Sequence, residues 1–342
     1  MDLVITWVDG EDPRHKLKRA AYGGPVASDL YAGQRLFRNK NELKYLLRSV
    51  EKFAPWIEQI YLIVDQQWPD WLKADSPRLK RIEHSEIFPL KEDLPNFNSA
   101  AIESCMHRIP GLSEHFLYAN DDTFFGRPLS KDLICKDQKL AFCRDSGFRF
   151  FRRRGFLDDL LSFFHFSFSS SCYFPVWAAN FAQTYFGCRT AAELNFRLMC
   201  WYTRNLLRFK FGVRKPERRT HQITAFCKSK LIELESSLPV EYALLRKQKF
   251  RSRLSFICVF LAPALEMARG ERFLDSTSKN IFLNDWESLC SISSDLQKIQ
   301  DQEFDFVCIN DSGHTDWLPE FLENWLPEPS SFEILKLDHN SL

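Results

Sequence analysis

Apolar positions along the first 130 residues keep changing rhythm between strand and helix. Asp2 to Val8 is a β-branched and aromatic run that stops at Asp9-Gly10, a turn signal. After a polar, glycine-containing loop, Leu43, Leu46, Leu47, Val50 and Phe53 recur at helical spacing within Asn41 to Trp56, with Asn41 as the expected N-cap and Pro55 as the stop. Ile60 to Val64 is a short apolar run ending at Asp65, and Leu79 to Ile82 a weaker one ending at Glu83-His84. Asn98 to His107 reads as a helix closed by Pro110-Gly111, and Phe116 to Tyr118 as a strand leading into Asn120-Asp121-Asp122. Strands alternating with helices, without tight hairpin signals, predict an α/β fold with a mostly parallel sheet. Ligands of such sheets bind beyond the carboxyl ends of the strands, where this sequence places Asp9, Asp65 and the Asp121/Asp122 pair.

The middle of the chain has a different texture. From about residue 131 to 220 phenylalanines crowd together around Arg152-Arg153-Arg154, which predicts a largely helical insertion. Its aromatic faces pack inward as core, or they lie on a membrane surface with the arginines at anionic headgroups. Residues 221–342 carry a helical Leu231 to Arg246 stretch, an apolar Leu254 to Ala268 helix and a Pro-rich closing segment. Three parts follow: 1–130, an α/β half; 131–220, the Phe-rich insertion; 221–342, a C-terminal part that completes the site.

Composition narrows the classes. A hydrophobic fraction of 45% and a charged fraction of 27% belong to a chain that buries a core. A net charge of +1 supplies no global field for nucleic acid, so no such partner is expected. The ten cysteines lack any CxxC pair or zinc spacing, and free thiols in a reducing compartment are the expectation. No secretory signal and no spanning helix is legible, which points to a cytoplasmic chain.

Chemistry concentrates at Asp121-Asp122. Paired carboxylates at a strand end can hold a hard divalent cation that bridges a diphosphate, although acidic turns of that composition are also common without one. The surrounding blocks carry a resemblance. Asp2-Leu-Val-Ile-Thr-Trp-Val-Asp-Gly-Glu-Asp-Pro13 is similar to the first block of the Stealth family. Asn41 to Trp56, Tyr61 to Gln67, His84 to Pro89, Leu94 to Ser99 and His107 to Asp122 resemble its second block, and Val307-Cys-Ile-Asn-Asp-Ser312 with Pro327 to Glu333 its fourth. That family includes bacterial capsular polysaccharide phosphotransferases and the lysosomal-enzyme N-acetylglucosamine-1-phosphotransferase of animals; the long insertions and membrane spans of the animal members are absent here.

The resemblance implies a Rossmann-like, GT-A-like nucleotide-sugar transferase fold and a sugar-1-phosphate transferase. A glycan hydroxyl would attack the β-phosphorus of a UDP-hexose, such as a UDP-N-acetylhexosamine, releasing UMP, with Mg2+ or Mn2+ as cofactor. It implies catalytic roles for Asp2, Asp122, His221 and Arg251, substrate contacts from Trp7, Asp9, Arg38, Asn98 and Asn310, and metal ligation by Asp121, Asp122 and Asp311. The third block departs from the pattern. No proline follows His221, and Ser255 stands where an acid is expected after Lys249-Phe-Arg-Ser252. Asn39 and Lys40 stand where Asp-Asn is usual, so a non-catalytic member that binds nucleotide or glycan is the alternative. The expected location is the inner face of the cytoplasmic membrane, docked through Arg152 to Arg154.

Overall fold

The computed structural model describes residues 1–23, 39–143, 191–214, 216, 221–252, 255–275, 278–284, 289–310 and 316–334. In chain order the principal elements are β1 (Asp2–Thr6), α1 (Pro13–Ala21), α2 (Glu42–Phe53), β2 (Ile60–Val64), β3 (Leu79–Glu83), α3 (Ser99–Glu103), β4 (His115–Asn120) and β5 (Thr123–Phe125). They continue with β6 (Cys135–Lys136), β7 (Lys139–Cys143), α4 (Ala191–Phe211), β8 (Thr224–Cys227), α5 (Lys228–Ser237), α6 (Pro239–Lys247), α7 (Cys258–Ala268) and β9 (Arg272–Asp275). The last are β10 (Asn280–Asn284), α8 (Leu289–Gln300), β11 (Phe306–Asn310) and α9 (Leu318–Trp325).

A five-stranded sheet runs β3-β2-β1-β4-β8, parallel throughout except for β8, which is antiparallel to β4. The fold class expected from the alternating rhythm is therefore observed: mixed α/β around a mostly parallel sheet. β1 is apolar on both faces because both are covered. Leu3 and Ile5 join the core formed with α2, whereas Val4 joins that under α5, α6 and α7. Two smaller sheets flank the first, β10-β11-β5 and β6-β7-β9.

Local differences from the sequence expectation have local causes. Asn41 does not cap α2 through its side chain; it takes a left-handed conformation, φ 64°, and the helix starts at Glu42. The stretch expected as one helix from Leu231 to Arg246 is split into α5 and α6, because Pro239 keeps Leu238 out of the helical region at ψ 47°. After a single helical turn at Lys131–Ile134, residues 135–143 are not helical: β6 and β7 form a hairpin whose turn, Asp137 and Gln138, is left-handed at both positions without a glycine. Between β5 and the loop that follows, Gly126 is required sterically, since a Cβ there would lie 2.4 Å from the Phe304 carbonyl oxygen. Arg152 to Arg154 and most of the Phe-rich stretch lie outside the described residues, and no helix of the described residues is long and apolar enough to cross a membrane.

The C-terminal segment is bolted onto α2. Arg48, itself buried, forks onto Glu333 with Nε to Oε1 at 2.8 Å and Nη2 to Oε2 at 3.0 Å, and donates to the Leu326 carbonyl at 2.6 Å. Removing one partner of such a buried pair costs about 3–5 kcal/mol, because the other charge is stranded.

Candidate functional site

The site forms where the chain leaves the first sheet. β1 and β4 run parallel with Thr6 beside Asn120, so their carboxyl ends lie together. The chain then turns through Asp121-Asp122 into β5, which pairs with β11 in a different sheet. Thr123 ties the turn with Oγ1 donating to the Asn120 carbonyl at 2.7 Å, and Ile309 N–H donates to the Asp122 carbonyl at 3.0 Å. Asp121 and Asp122 thus sit at a junction of two sheets, facing groups that arrive from both.

Asp122 is the centre of that junction. Its Oδ1 lies 3.7 Å from His221 Nε2, and the Cys308 thiol on β11 points at its Oδ2 from 3.8 Å. Oδ1 is shut off from solvent and takes no hydrogen bond among the described residues. Burial pushes the Asp122 carboxyl up to about 6, against the opposing effects of its own backbone amide, the Cys308 thiol and the Arg251 charge. Asp121 rises further, through burial and then through Glu42 and Asp122. Glu42 begins α2 and accepts from the Lys40 N–H at 2.6 Å.

His221 and Arg251 converge on the same carboxylate from separate segments. Asn120 Nδ2 lies 3.0 Å from His221 Nε2, and Asn120 Oδ1 accepts from the Tyr118 hydroxyl at 2.6 Å. That hydroxyl is also within 2.9 Å of Thr6 Oγ1 and 3.3 Å of Glu103 Oε1. Arg251 follows Phe250, which stacks on Phe97 with ring centroids 5.1 Å apart, and its guanidinium donates to Ser99 Oγ, Nε at 2.9 Å. The stack and the Phe97 N–H to Lys249 carbonyl bond at 2.8 Å deliver the guanidinium to the carboxyl edge of the sheet.

Other expected residues are placed elsewhere or are occupied. Asp2 lies at the opposite end of β1, four residues or about 13 Å from Thr6, and its Oδ2 accepts from Ser113 N–H at 2.8 Å. Trp7 is buried against the α2 core. Asp9 is at the correct end, where its Oδ1 accepts from Glu11 N–H at 3.0 Å. Asn98 is fully buried; its Oδ1 caps α3 through Ala100 N–H at 3.2 Å and its Nδ2 reaches Ser255 Oγ at 3.3 Å. Ser255, which stands in place of an acid, belongs to that structural network, donating to Gln248 Oε1 at 2.7 Å. Asn310 ends β11, next to the Ile309 amide that binds Asp122. Arg38 and Asp311 lie outside the described residues.

The donor atoms of Asp122, His221 and Cys308 all lie within 4.8 Å of one another, so these three side chains could hold a metal ion. A buried oxygen left without a hydrogen bond is what a bound cation would satisfy, and on that ground the site fits a divalent ion. Sequence reasoning missed Cys308, Glu42 and Ser99. Cys308 sits inside the Val307-Cys-Ile-Asn block already singled out, but apolar neighbours disguised it as core; nothing in the sequence joins Glu42 to Asp121.

Comparison with known proteins agrees with the motif blocks. Residues 1–24 match the model for Stealth protein CR1, conserved region 1, and residues 36–142 that for Stealth protein CR2, conserved region 2. The exopolysaccharide phosphotransferase CpsY of Mycobacterium leprae is 30% identical over 99% of this chain and 58% of its own length. An exopolysaccharide phosphotransferase of Streptomyces coelicolor is 30% identical over 97% of this chain and 57% of its own. A second from that organism is 48% identical over 38% of this chain and 22% of its own. The chain spans under two thirds of the length of these curated relatives. The galactosyltransferase LgtC, solved with donor and acceptor sugar analogues, superposes at a TM-score of 0.44 with 12% identity over 97% of both chains, a distant likeness that decides nothing about the site.

Proposed function

The chain belongs to the Stealth family, and from its carboxyl-end site we propose that it is a sugar-1-phosphate transferase acting in exopolysaccharide synthesis. It would move hexose-1-phosphate from a UDP-hexose to a glycan hydroxyl and release UMP. The observation that carries this reading is Asp122 Oδ1, which takes no hydrogen bond among the described residues at a sheet junction where His221 and the charge of Arg251 meet the carboxylate.

The residues divide the work. Asp122, with His221, would hold a divalent cation, of the Mg2+ or Mn2+ kind implied by the family resemblance. When bound, that cation neutralises charge on the diphosphate. The Arg251 guanidinium, oriented by Ser99 and the Phe97–Phe250 stack, would clamp a phosphate oxygen in a charge-assisted pair. Asp9, at the mouth of β1, lies on the side where a nucleotide would enter. His221 turns its Nε2 inward to Asn120 and Asp122, which suits ligation better than the work of a general base on an acceptor hydroxyl. A loose phosphoryl-transfer transition state asks little of a base, so positioning and charge carry the rate. Asp2, satisfied at the far end of its strand, takes no part in this scheme.

The test is the identity of the released nucleotide. Purified protein incubated with a panel of UDP-hexoses, a glycan acceptor and Mg2+ or Mn2+ should yield UMP and a phosphodiester product. UDP in its place would mean glycosyl transfer with the sugar–oxygen bond broken. Calorimetric binding of UDP-sugar with no nucleotide released would mean a binding or scaffold member. A place at the inner membrane face, docked through Arg152 to Arg154, is part of the same proposal; charge reversal of those arginines should move the protein to the soluble fraction.

A further inference from the structure

A ring nitrogen of His221 lies 3.7 Å from Asp122 Oδ1, yet that oxygen takes no hydrogen bond among the described residues. We propose that Tyr118 and Asn120 are positioning residues that hold His221 in the tautomer with its proton on Nδ1, so that no N–H on Nε2 satisfies the carboxylate. The inference rests on the reading of this junction as the reaction site and adds the groups that keep it open.

The clamp is written into β1 and β4. Residues two apart on a strand share a face, so Tyr118 and Asn120 point the same way, and the parallel register sets Thr6 beside Asn120. The Tyr118 hydroxyl is 2.6 Å from Asn120 Oδ1, a length ordinary for O–H···O and short for N–H···O. That length places the amide oxygen, rather than the amide nitrogen, toward the phenol. Thr6 Oγ1 lies 3.3 Å from the same oxygen and adds a second donor. The amide nitrogen is left facing His221 Nε2 at 3.0 Å. An amide N–H only donates, so Nε2 accepts, and the proton of the neutral imidazole sits on Nδ1.

The surroundings keep this arrangement from reversing. A turned-over Asn120 amide would need the Tyr118 proton to move to Glu103 Oε1, which at 3.3 Å is the longer of the two contacts. Burial, then the Glu103 charge, holds the phenol well above its ordinary range, so the donor keeps its proton. Thr123 Oγ1 donates to the Asn120 carbonyl at 2.7 Å and fixes the backbone, and the Phe282 ring stands edge-on to the imidazole with centroids 6.2 Å apart. The opposite tautomer would carry its N–H on Nε2 beside Asp122 Oδ1. A small rotation of the ring would then close a hydrogen bond and satisfy the site from within. Tyr118 touches no reacting atom; it acts through Asn120 and then through His221.

Nitrogen NMR reads the tautomer in the whole protein. In chelator-treated protein with isotope-labelled histidine nitrogens, His221 is assigned by the signals lost in His221→Ala. Its ring should show a protonated Nδ1 and an unprotonated Nε2. Tyr118→Phe removes only the hydroxyl and leaves the ring against Phe226, and it should move His221 to the Nε2–H form or to a mixture of the two. The same variant should lower kcat by about ten- to hundredfold with KM little changed, the usual scale for a partner that orients a working group. Asn120→Asp, an acceptor in place of a donor, should put the proton on Nε2 outright, and it serves as the second variant should Tyr118→Phe fail to fold. A wild type already protonated on Nε2 overturns the proposal. So does a tautomer that the substitution leaves unchanged, or a shifted tautomer with kcat unchanged. UMP release measured in parallel separates the clamp from the reading it rests on. The Nδ1–H tautomer without UMP from any UDP-hexose overturns the donor chemistry alone; UMP with an Nε2–H histidine overturns the clamp alone.

Discussion

The two ends of the five-stranded sheet treat buried acids in opposite ways. At the amino end the buried Asp2 and the exposed Glu58 both have donors. Asp2 accepts from Ser113 N–H at 2.8 Å, and the Met1 ammonium lies 2.6 Å from Glu58, whose carboxyl is held below its ordinary range by that bond and charge. At the carboxyl end the charges of Glu42 and Asp122 add to burial in driving Asp121 up, burial drives Asp122 up, and one Asp122 oxygen has no hydrogen bond among the described residues. Removing an ionised carboxylate from water costs several kcal/mol unless something compensates. The amino end compensates within the fold, whereas the carboxyl end leaves the cost standing until a cation arrives. The pairing of each acid, rather than its burial, tells structure from function here, and perturbed carboxylates in a junction are where function concentrates.

Substitutions at the two ends should separate cleanly. Asp122→Asn should reduce UMP release by about a thousandfold or more, since it removes the central ligand. The cation-free variant should melt no lower than wild type; a large drop in its melting temperature would make Asp122 structural and erase the contrast. His221→Ala should cost about a hundredfold in turnover, recovered in part at high cation concentration. Asp2→Asn should lose about 1–3 kcal/mol in urea unfolding, by weakening its bond to the Ser113 amide, with turnover per folded molecule unchanged. A loss of turnover there would bring the far end of β1 into the reaction.

The smallest expected effect is in pH. The Asp122 carboxyl stands at about 6 in the folded protein, raised by burial, against about 3.9 in an unfolded chain. The folded state binds the proton more tightly, so this group adds stability below about pH 4 and withdraws it as pH rises through 6. Buried His15 and His84, both lowered to about 4 by desolvation, act the other way, losing stability as pH falls from 6.5 toward 4. The melting-temperature difference between Asp122→Asn and wild type, both stripped of metal, isolates the aspartate. It should be largest near pH 7 and vanish by pH 4, and a difference independent of pH would contradict the raised carboxyl.

The parts of the fold readable in the chain are those set by short-range periodicity. The α2 stripe, the β1, β2 and β4 runs and the acids at their ends required only a local rhythm and the rule that parallel strands place their carboxyl ends together. The errors fell where a local signal competed with tertiary context. Asn41 looks like a cap but gives way to a left-handed turn, Leu238-Pro239 divides one apparent helix in two, and Asp137-Gln138 turns a hairpin without glycine. Glu333 is a further case: its match to a family block says nothing of Arg48, 285 positions earlier, whose fork is the reason the tail lies where it does.

By itself the chain determined that an α/β sheet exists, that Asp121-Asp122 lies at a carboxyl edge, and, through its motif blocks, which family's conserved regions it matches. These follow from residue type and near-neighbour order, which every folded conformation must respect. Only the tertiary structure decided that Cys308 and His221 meet Asp122 while Asp2 stays at the far end of β1, about 13 Å from Thr6. Sheet register and the crossing from β4 to β5 set which distant residues become neighbours. Because a strand presents its two ends to different surroundings, identical aspartates acquire different partners and different work.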